Sequence, residues 1–317
     1  MRSTMFLTVT LNAALDLTYR VRRLEPHASH RIREVTERPG GKGLNVARVL
    51  AALGHGATVT GFVGGGTGEE LRGHLAGEPG VRDALVPVSG TTRRTVGVVD
   101  ETTGDTTQFN EPGPHVSPAE WTAFLGAYRE LLREDVRAVA LCGSLPPGVP
   151  VGAYAALVRE ARAAGVPALL DTSGEPLRRG LAARPELIKP NAQELADITG
   201  TTDPLRAARG AQRRGARSVA ASLGADGMLL VTPDGLWHAD PVERLAGNPT
   251  GAGDSAVAAL LSGLAEGLAW RDMLARAVAL SAATVRAPAA GEFDADTYAR
   301  LLPLVRISEP EEPDVPA

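Results

Sequence analysis

Asn248-Pro249-Thr250-Gly251-Ala252-Gly253-Asp254-Ser255 precedes an Ala/Leu-rich run, Ala256 to Leu268, whose composition predicts a helix. A helix start leaves its first backbone N–H groups unpaired and partly positive. Gly251, Ala252 and Gly253 put almost no side chain between those groups and an incoming anion. Asp254 adds a carboxylate beside that cradle, which is what a hydroxyl attacking a nucleotide γ-phosphate needs as its base. The plainer role for such an aspartate is to cap the helix.

The lysines point the same way. Only two of the 33 basic residues are lysine, Lys42 and Lys189, and the rest are arginine. Both stand in turn-rich sequence: Pro39-Gly40-Gly41-Lys42-Gly43-Leu44-Asn45 and Ile188-Lys189-Pro190-Asn191. A compact ammonium on a flexible stem suits a confined phosphate site better than a planar guanidinium. Gly41, Lys42 and Asn45 open a helix where a ligand can approach the backbone. Asn191 and Glu194, three apart at another helix start, form either a reciprocal cap or a pair holding the waters of a nucleotide-bound magnesium. Arg93 and Arg94 alternate on a strand, so one points inward, where it would suit a substrate phosphate.

These groups need elements to hold them. Short apolar runs at Phe6–Leu11, Thr58–Val63, Ala138–Leu141, Val166–Leu170, Leu187–Ile188, Ser218–Ser222 and Met228–Val231 read as strands. Between them lie helical patterns at Leu44–Leu53, Glu69–Ala76, Pro118–Arg133, Val151–Ala164, Ala192–Thr199, Pro204–Arg214, Ser255–Leu268 and Asp272–Arg286. That alternation predicts a mostly parallel sheet covered on both faces. Two stretches, about 16–35 and 85–110, show polar β alternation without helices, as in Thr95-Val96-Gly97-Val98-Val99. They predict a small sheet standing over the carboxyl ends of the parallel strands, placed to act as a lid. Residues 1–308 read as one domain, and the acidic, Pro-rich 309–317 as a disordered tail.

Composition narrows the function classes. A net charge of −4 gives nucleic-acid binding no electrostatic support. The single Cys142 excludes an internal disulfide and fits a reducing cytoplasm. No apolar run is long enough to span a membrane, and the N-terminus lacks a signal-peptide layout. His27 and His30 read as solvated loop residues. Gly64-Gly65-Gly66-Thr67-Gly68 superficially resembles a dinucleotide fingerprint but follows the wrong strand, so a structural turn is expected. Ser222-Leu223-Gly224-Ala225-Asp226-Gly227 joins two strands tightly, either as a plain turn or as a bed for a nucleotide.

Taken in order, Thr10–Asp16, Gly40–Asn45, Cys142-Gly143-Ser144-Leu145-Pro146-Pro147-Gly148, Lys189–Glu194, Ser222–Gly227 and Gly251–Asp254 resemble the PfkB/ribokinase family of sugar kinases. Within it the chain looks most like the 1-phosphofructokinase and tagatose-6-phosphate kinase branch. The resemblance implies a ribokinase-like three-layer α/β/α sandwich with a β-sheet lid, MgATP as donor and a homodimer formed through the lid. It implies Asp254 as base and Gly251, Ala252 and Gly253 as the anion hole. Asp16, Gly41, Lys42, Asn45, Arg93 and Ser144 would hold the sugar phosphate. Lys189, Asn191, Ser222, Gly224, Ala225, Asp226, Gly227 and Thr250 would face the nucleotide, with Asn191 and Glu194 holding magnesium through water. The expected reaction is phosphorylation of fructose 1-phosphate at the 6-hydroxyl. Tagatose 6-phosphate, fructose 6-phosphate or a non-catalytic sugar-phosphate sensor stand as alternatives. The segment Ala287–Gly291 has no assigned place on the adenine side.

Overall fold

Residues 5–243, 245 and 247–310 are described in the computed structural model. The central parallel strands run in the order β12 (Ser218–Ser222), β11 (Leu187–Ile188), β10 (Ala168–Asp171), β9 (Val136–Cys142), β1 (Met5–Thr10), β4 (Gly56–Val63) and β5 (Val81–Asp83). The short β6 (Val86–Pro87) also pairs with β4. Beyond β12 the sheet turns antiparallel through β13 (Met228–Val231), β14 (Leu236–Ala239) and β15 (Ile307–Ser308). The sheet is therefore mostly parallel with an antiparallel edge, and β14 and β15 were not expected from the sequence.

Helices cover both faces. On one lie α3 (Pro118–Leu132), α4 (Ala153–Ala163), α5 (Gly174–Leu181), α6 (Ala192–Thr199) and α7 (Pro204–Arg213), packed on Leu7, Val9, Val139 and Leu170. On the other lie α1 (Lys42–Ala52), α2 (Gly65–Leu75), α8 (Ala252–Glu266), α9 (Trp270–Val285) and α10 (Ala295–Leu301), packed on Phe6, Ala138, Ala140 and Leu169. Successive residues of one strand thus go to opposite cores, which is why these strands are apolar throughout instead of alternating. The three-layer α/β/α expectation holds. The two short helices α5 and α10 were missed; α5 is eight residues of Gly-Glu-Pro-Leu-Arg-Arg-Gly-Leu, too glycine-punctuated for an apolar period to declare itself.

The small sheet stands apart in the order β3 (Val35–Gly40), β2 (Ala14–Val21), β7 (Arg93–Asp100) and β8 (Thr106–Asn110). Its two stretches of chain are those expected, but the boundaries move to 14–40 and 93–110. Val-Thr-Glu-Arg-Pro-Gly of β3 carries no alternation and includes a proline, so only its antiparallel pairing with β2 makes it a strand. Val86 and Pro87 belong to the main sheet instead. The Gly64–Gly68 run starts α2 and is tied to Thr92, which accepts from Gly64 N–H (2.9 Å), the structural turn expected of it. His30 meets only the backbone of Glu25, and no cluster of three potential metal ligands occurs among the described residues. No helix among the described residues is long and apolar enough to cross a membrane. The tail assignment falls mostly on 311–317, outside the described residues; Glu309 pairs with Arg271 (3.2 Å).

Candidate active site

β1 and β9 are neighbours, yet the chain leaves them in opposite directions across the sheet, toward β4 and toward β10. Such a switch point opens a crevice at the carboxyl ends of the strands. Thr10 and Asn12 at the end of β1 and Gly143 and Ser144 at the end of β9 line a cavity of about 280 Å³ there, together with Gly41, Lys42, Arg93 and Glu194. The sequence placed Gly41, Lys42, Arg93 and Ser144 together on the sugar-phosphate side, and the structure brings all four to one cavity.

Asp254 sits in the first turn of α8 but does not cap it; Gly251 is the cap residue, at φ 89°, and no side chain caps the helix. Only glycine holds that left-handed conformation without strain, and a Cβ there would also meet Ala290. The carboxylate of Asp254, 6% exposed, instead accepts a hydrogen bond from Asn45 Nδ2 at 2.7 Å. Asn45 is itself oriented by Arg48, whose Nη2 donates to Asn45 Oδ1 (2.6 Å) while Nη1 donates to Pro39 O (2.7 Å). Burial, followed by the nearby charge of Asp171, pushes the Asp254 carboxyl up to about 6 against the pull of Lys42, Asn45 and Lys189. A carboxylate raised in this way is a better proton acceptor than a free aspartate and is still ionised at neutral pH.

Asp171, at the end of β10, is the hub of the charges and was not singled out from the sequence. It is 1% exposed. Lys42 Nζ donates to its Oδ2 at 3.1 Å, and Lys189 Nζ lies 3.5 Å from its Oδ1. Burial pushes its carboxyl up, but Lys189 and Lys42 outweigh that and hold it below the ordinary range. Burial likewise opposes the charge on Lys42, but Asp171, Asp254 and Glu194 more than compensate, so Lys42 stays an ammonium. The two lysines of the chain thus flank one buried carboxylate. Lys42 opens on the Ser144 cavity and Lys189 on the next one. Gly41, which caps α1 at φ 113°, brings Lys42 there; a Cβ on it would meet Thr10 Cγ2 at 2.6 Å.

Arg93 faces inward and Arg94 is exposed, as strand alternation requires. Arg93 Nε donates to Asn12 O (3.1 Å) and Nη1 to Thr95 Oγ1 (3.2 Å), which aims the guanidinium along the cavity mouth. Asp16, two residues into β2, lies beside Arg93 and Arg48. Burial pushes it up to about 6, against Arg93, Arg48 and Thr95. It opens on a separate cavity of about 300 Å³ under the lid, lined also by Arg48, Thr250 and Ala287–Ala290.

The third cavity is the largest of the three, about 880 Å³, and is mostly apolar. Lys189, Asn191, Ser222, Gly224, Ala225 and Gly227 line one wall; Ala252, Gly253, Val278, Ser281 and Val285 line the other. Its size and lining suit a small organic ligand with a flat apolar part. The Ser222–Gly227 segment forms a 3₁₀ turn between β12 and β13. Two residues assigned to this side sit elsewhere. Asp226 is exposed, its carbonyl meeting His238 Nε2 at 2.8 Å. Thr250 N–H donates to Asn248 Oδ1 (3.0 Å), a local turn that leaves Thr250 on the under-lid cavity. Ala287–Ala290 line that same under-lid cavity, so the wall opposite Ser222–Gly227 comes from α9 instead. Asn191 and Glu194 make the reciprocal cap in full: Glu194 N–H donates to Asn191 Oδ1 (2.8 Å) and Asn191 N–H to Glu194 Oε2 (2.9 Å). Asn191 still opens on the large cavity and Glu194 on the Ser144 cavity, so the pair straddles the boundary between the two.

The residues missed, Asp171 and Arg48, each left a faint mark: a lone carboxylate closing the apolar Ala168-Leu169-Leu170, and a lone arginine within the apolar run Leu44–Leu53, three residues beyond Asn45.

The chain is similar to known proteins along nearly its whole length. Residues 8–297 match the pfkB family carbohydrate kinase description. A 1-phosphofructokinase of Rhodobacter capsulatus is 39% identical over 266 residues, 82% of this chain and 84% of that one. Phosphofructokinase-2 from Escherichia coli in complex with potassium superposes with a TM-score of 0.87 at 31% identity, covering 95% and 98% of the two chains. A possible 1-phosphofructokinase from Thermotoga maritima superposes equally well, TM-score 0.87, at 27% identity over 97% and 100%. With a buried aspartate in a glycine-started helix and two lysines at the switch point, this chain belongs to the pfkB family of carbohydrate kinases and is an ATP-dependent sugar-phosphate kinase.

Proposed function

We propose that the chain transfers the γ-phosphoryl group of ATP to the 6-hydroxyl of fructose 1-phosphate, giving fructose 1,6-bisphosphate, with Asp254 as the base. The observation that carries the mechanism is Asp254 itself: buried, raised to about 6, oriented by Asn45, and in the first turn of an uncapped helix. The acceptor assignment rests on the 39% identity to the Rhodobacter 1-phosphofructokinase.

The sugar phosphate binds in the Ser144 cavity, its phosphate held by Arg93 and Lys42, with Asp16 on the lid side. ATP lies along Ser222–Gly227 with its phosphates toward Lys189 and the α8 start. As the acceptor oxygen attacks, Asp254 takes its proton, the O6–phosphorus bond forms and the bond to the ADP oxygen breaks. The N–H groups of Gly251 and Gly253 stabilise charge on the moving phosphoryl, whereas the Ala252 N–H expected beside them donates to Pro249 O (3.1 Å). Asp171 keeps Lys42 charged and holds both Lys42 and Lys189 in place across the line of transfer. The lid excludes water that would otherwise compete as acceptor. Asn191 and Glu194 fit a hydrated divalent ion: they straddle the two cavities, and among the described residues Glu194 Oε1 has no partner. Magnesium bound there with the nucleotide would neutralise charge on its terminal phosphates.

A second acceptor has specific support. A phosphofructokinase-2 from Escherichia coli in complex with fructose 6-phosphate superposes with a TM-score of 0.85 at 31% identity. We further propose a homodimer through the lid, whose strands β3 and β8 expose Val35 and Phe109, and a cytoplasmic location. The test of the acceptor is ADP release with MgATP and, in turn, fructose 1-phosphate, fructose 6-phosphate and tagatose 6-phosphate. A kcat/KM highest for fructose 1-phosphate supports the reading. Preference for a 6-phosphate keeps the mechanism and overturns the acceptor, and silence with all three overturns both.

A further inference from the structure

The active site occupies the carboxyl ends of the parallel strands. At their other end, where β10, β11 and β12 begin, lies a second polar cavity of about 650 Å³. Arg162 at the end of α4, Arg184 after α5, Arg213 at the end of α7 and Arg217 before β12 all line it. Glu186 is the only acid in that lining and pairs with Arg217 at 3.4 Å. Among the described residues the guanidiniums of Arg162, Arg184 and Arg213 have neither a hydrogen bond nor an ion pair. The chain as a whole is acidic, with net charge −4, so four arginines against one acid around one cavity run against its average.

The plainer role for arginines at helix ends is to hydrogen-bond the last carbonyls. None of these three does so, and their donors stay free. Arg184 adds a further point. It stands at φ 61°, one of two non-glycine residues with positive φ among the described residues. Glycine is the usual occupant just past a helix end because it holds that conformation without strain. Here an arginine lines the cavity despite it.

We infer that this cavity is a second anion site, separate from catalysis, for a small organic phosphate carrying at least two phosphoryl groups. Forked guanidiniums take phosphate oxygens in charge-assisted pairs, and a cavity of about 650 Å³ is larger than one phosphoryl group fills. The shared chemistry belongs to both a sugar bisphosphate and a nucleoside diphosphate.

Calorimetric titration at physiological salt tests this with inorganic tripolyphosphate, fructose 1,6-bisphosphate and ADP as probes, each against native enzyme and the Arg184→Ala/Arg213→Ala double variant. The native enzyme should bind one equivalent more of at least one probe than the variant, or bind that equivalent about tenfold or more tightly. The kcat and KM of the variant should match the native values, since the site is remote from the chemistry. Arg184→Gly, which relieves the positive φ and folds at least as well, should weaken the same binding. Tighter binding of the bisphosphate or of ADP identifies the source of the ligand. Equal stoichiometry and affinity in native and variant enzymes, or binding that disappears on raising salt without ever saturating, overturns the inference.

Discussion

The two halves of the proposed active site are built from different materials. The acceptor side is a dense set of side-chain charges: Lys42, Asp171, Asp254, Asp16, Arg48 and Arg93, half of them buried, with Asn45 joining Asp254 to Arg48. The nucleotide side is backbone and small residues: Gly224, Ala225, Gly227, Ala252 and Gly253 lining a larger, apolar cavity. The difference follows from what each must do. Proton removal and phosphate capture need groups whose charge is tuned by burial and by neighbours. A nucleotide base and ribose need a shaped apolar wall and exposed N–H groups, which glycine supplies by absence. Substitutions on the acceptor side should therefore be costly one residue at a time, while those on the nucleotide side should be mild unless they add bulk.

The sharpest contrast comes from Asp254→Asn. Turnover should fall roughly a hundred- to ten-thousand-fold, the usual span for loss of a general base, while ATP affinity by direct titration stays near native. Near-native turnover would remove Asp254 from the mechanism. Asp171→Asn should come next. It leaves Lys42 and Lys189 without their shared carboxylate, so a kcat loss of at least about tenfold should accompany a drop in thermal stability, breakage of a buried pair costing about 3 kcal/mol. Unchanged stability would mean that the three charges are not a structural unit. Arg93→Ala should raise the KM for the sugar phosphate by about ten- to a hundredfold with little change in the KM for ATP, as expected for loss of charge-assisted hydrogen bonds to one substrate. Equal effects on both would place Arg93 elsewhere. Ser222→Ala should be the mildest, less than about threefold on any kinetic constant, because the turn binds through its backbone. A large effect there would erase the contrast between the halves.

How much of this was legible in the sequence follows the same division. Asp254, Lys42 and Lys189 stood out because charged residues in glycine-rich turns have few structural reasons to be there. The parallel strands were found because burial on both faces makes them continuous apolar runs. β3 was not placed, since Val-Thr-Glu-Arg-Pro-Gly becomes a strand only by pairing with β2. Asp171 stayed hidden because its partner Lys42 lies 129 residues away, and one aspartate closing an apolar strand has no pattern of its own. Thr250 and Asp226 were assigned with the motifs they stand in, yet neither lines the large cavity: Thr250 turns onto the under-lid cavity and Asp226 is exposed. Adjacency in sequence specifies which loop a residue joins, not which way that loop presents it.

The central claim is that Asp254 is a base whose proton affinity is set by burial and by Asp171, and the pH profile of kcat/KM tests it most directly. Activity should fall below a limb near pH 6, the value to which Asp254 is raised. The acceptor's own phosphate also titrates at about 6, so a limb in one protein does not identify the group. The comparison with Asp171→Asn does. Removing a neighbouring negative charge lowers the proton affinity of Asp254, so in the variant's residual activity the acid limb should move to lower pH while the substrate's titration stays fixed. A limb that does not move, or that moves to higher pH, would contradict the account.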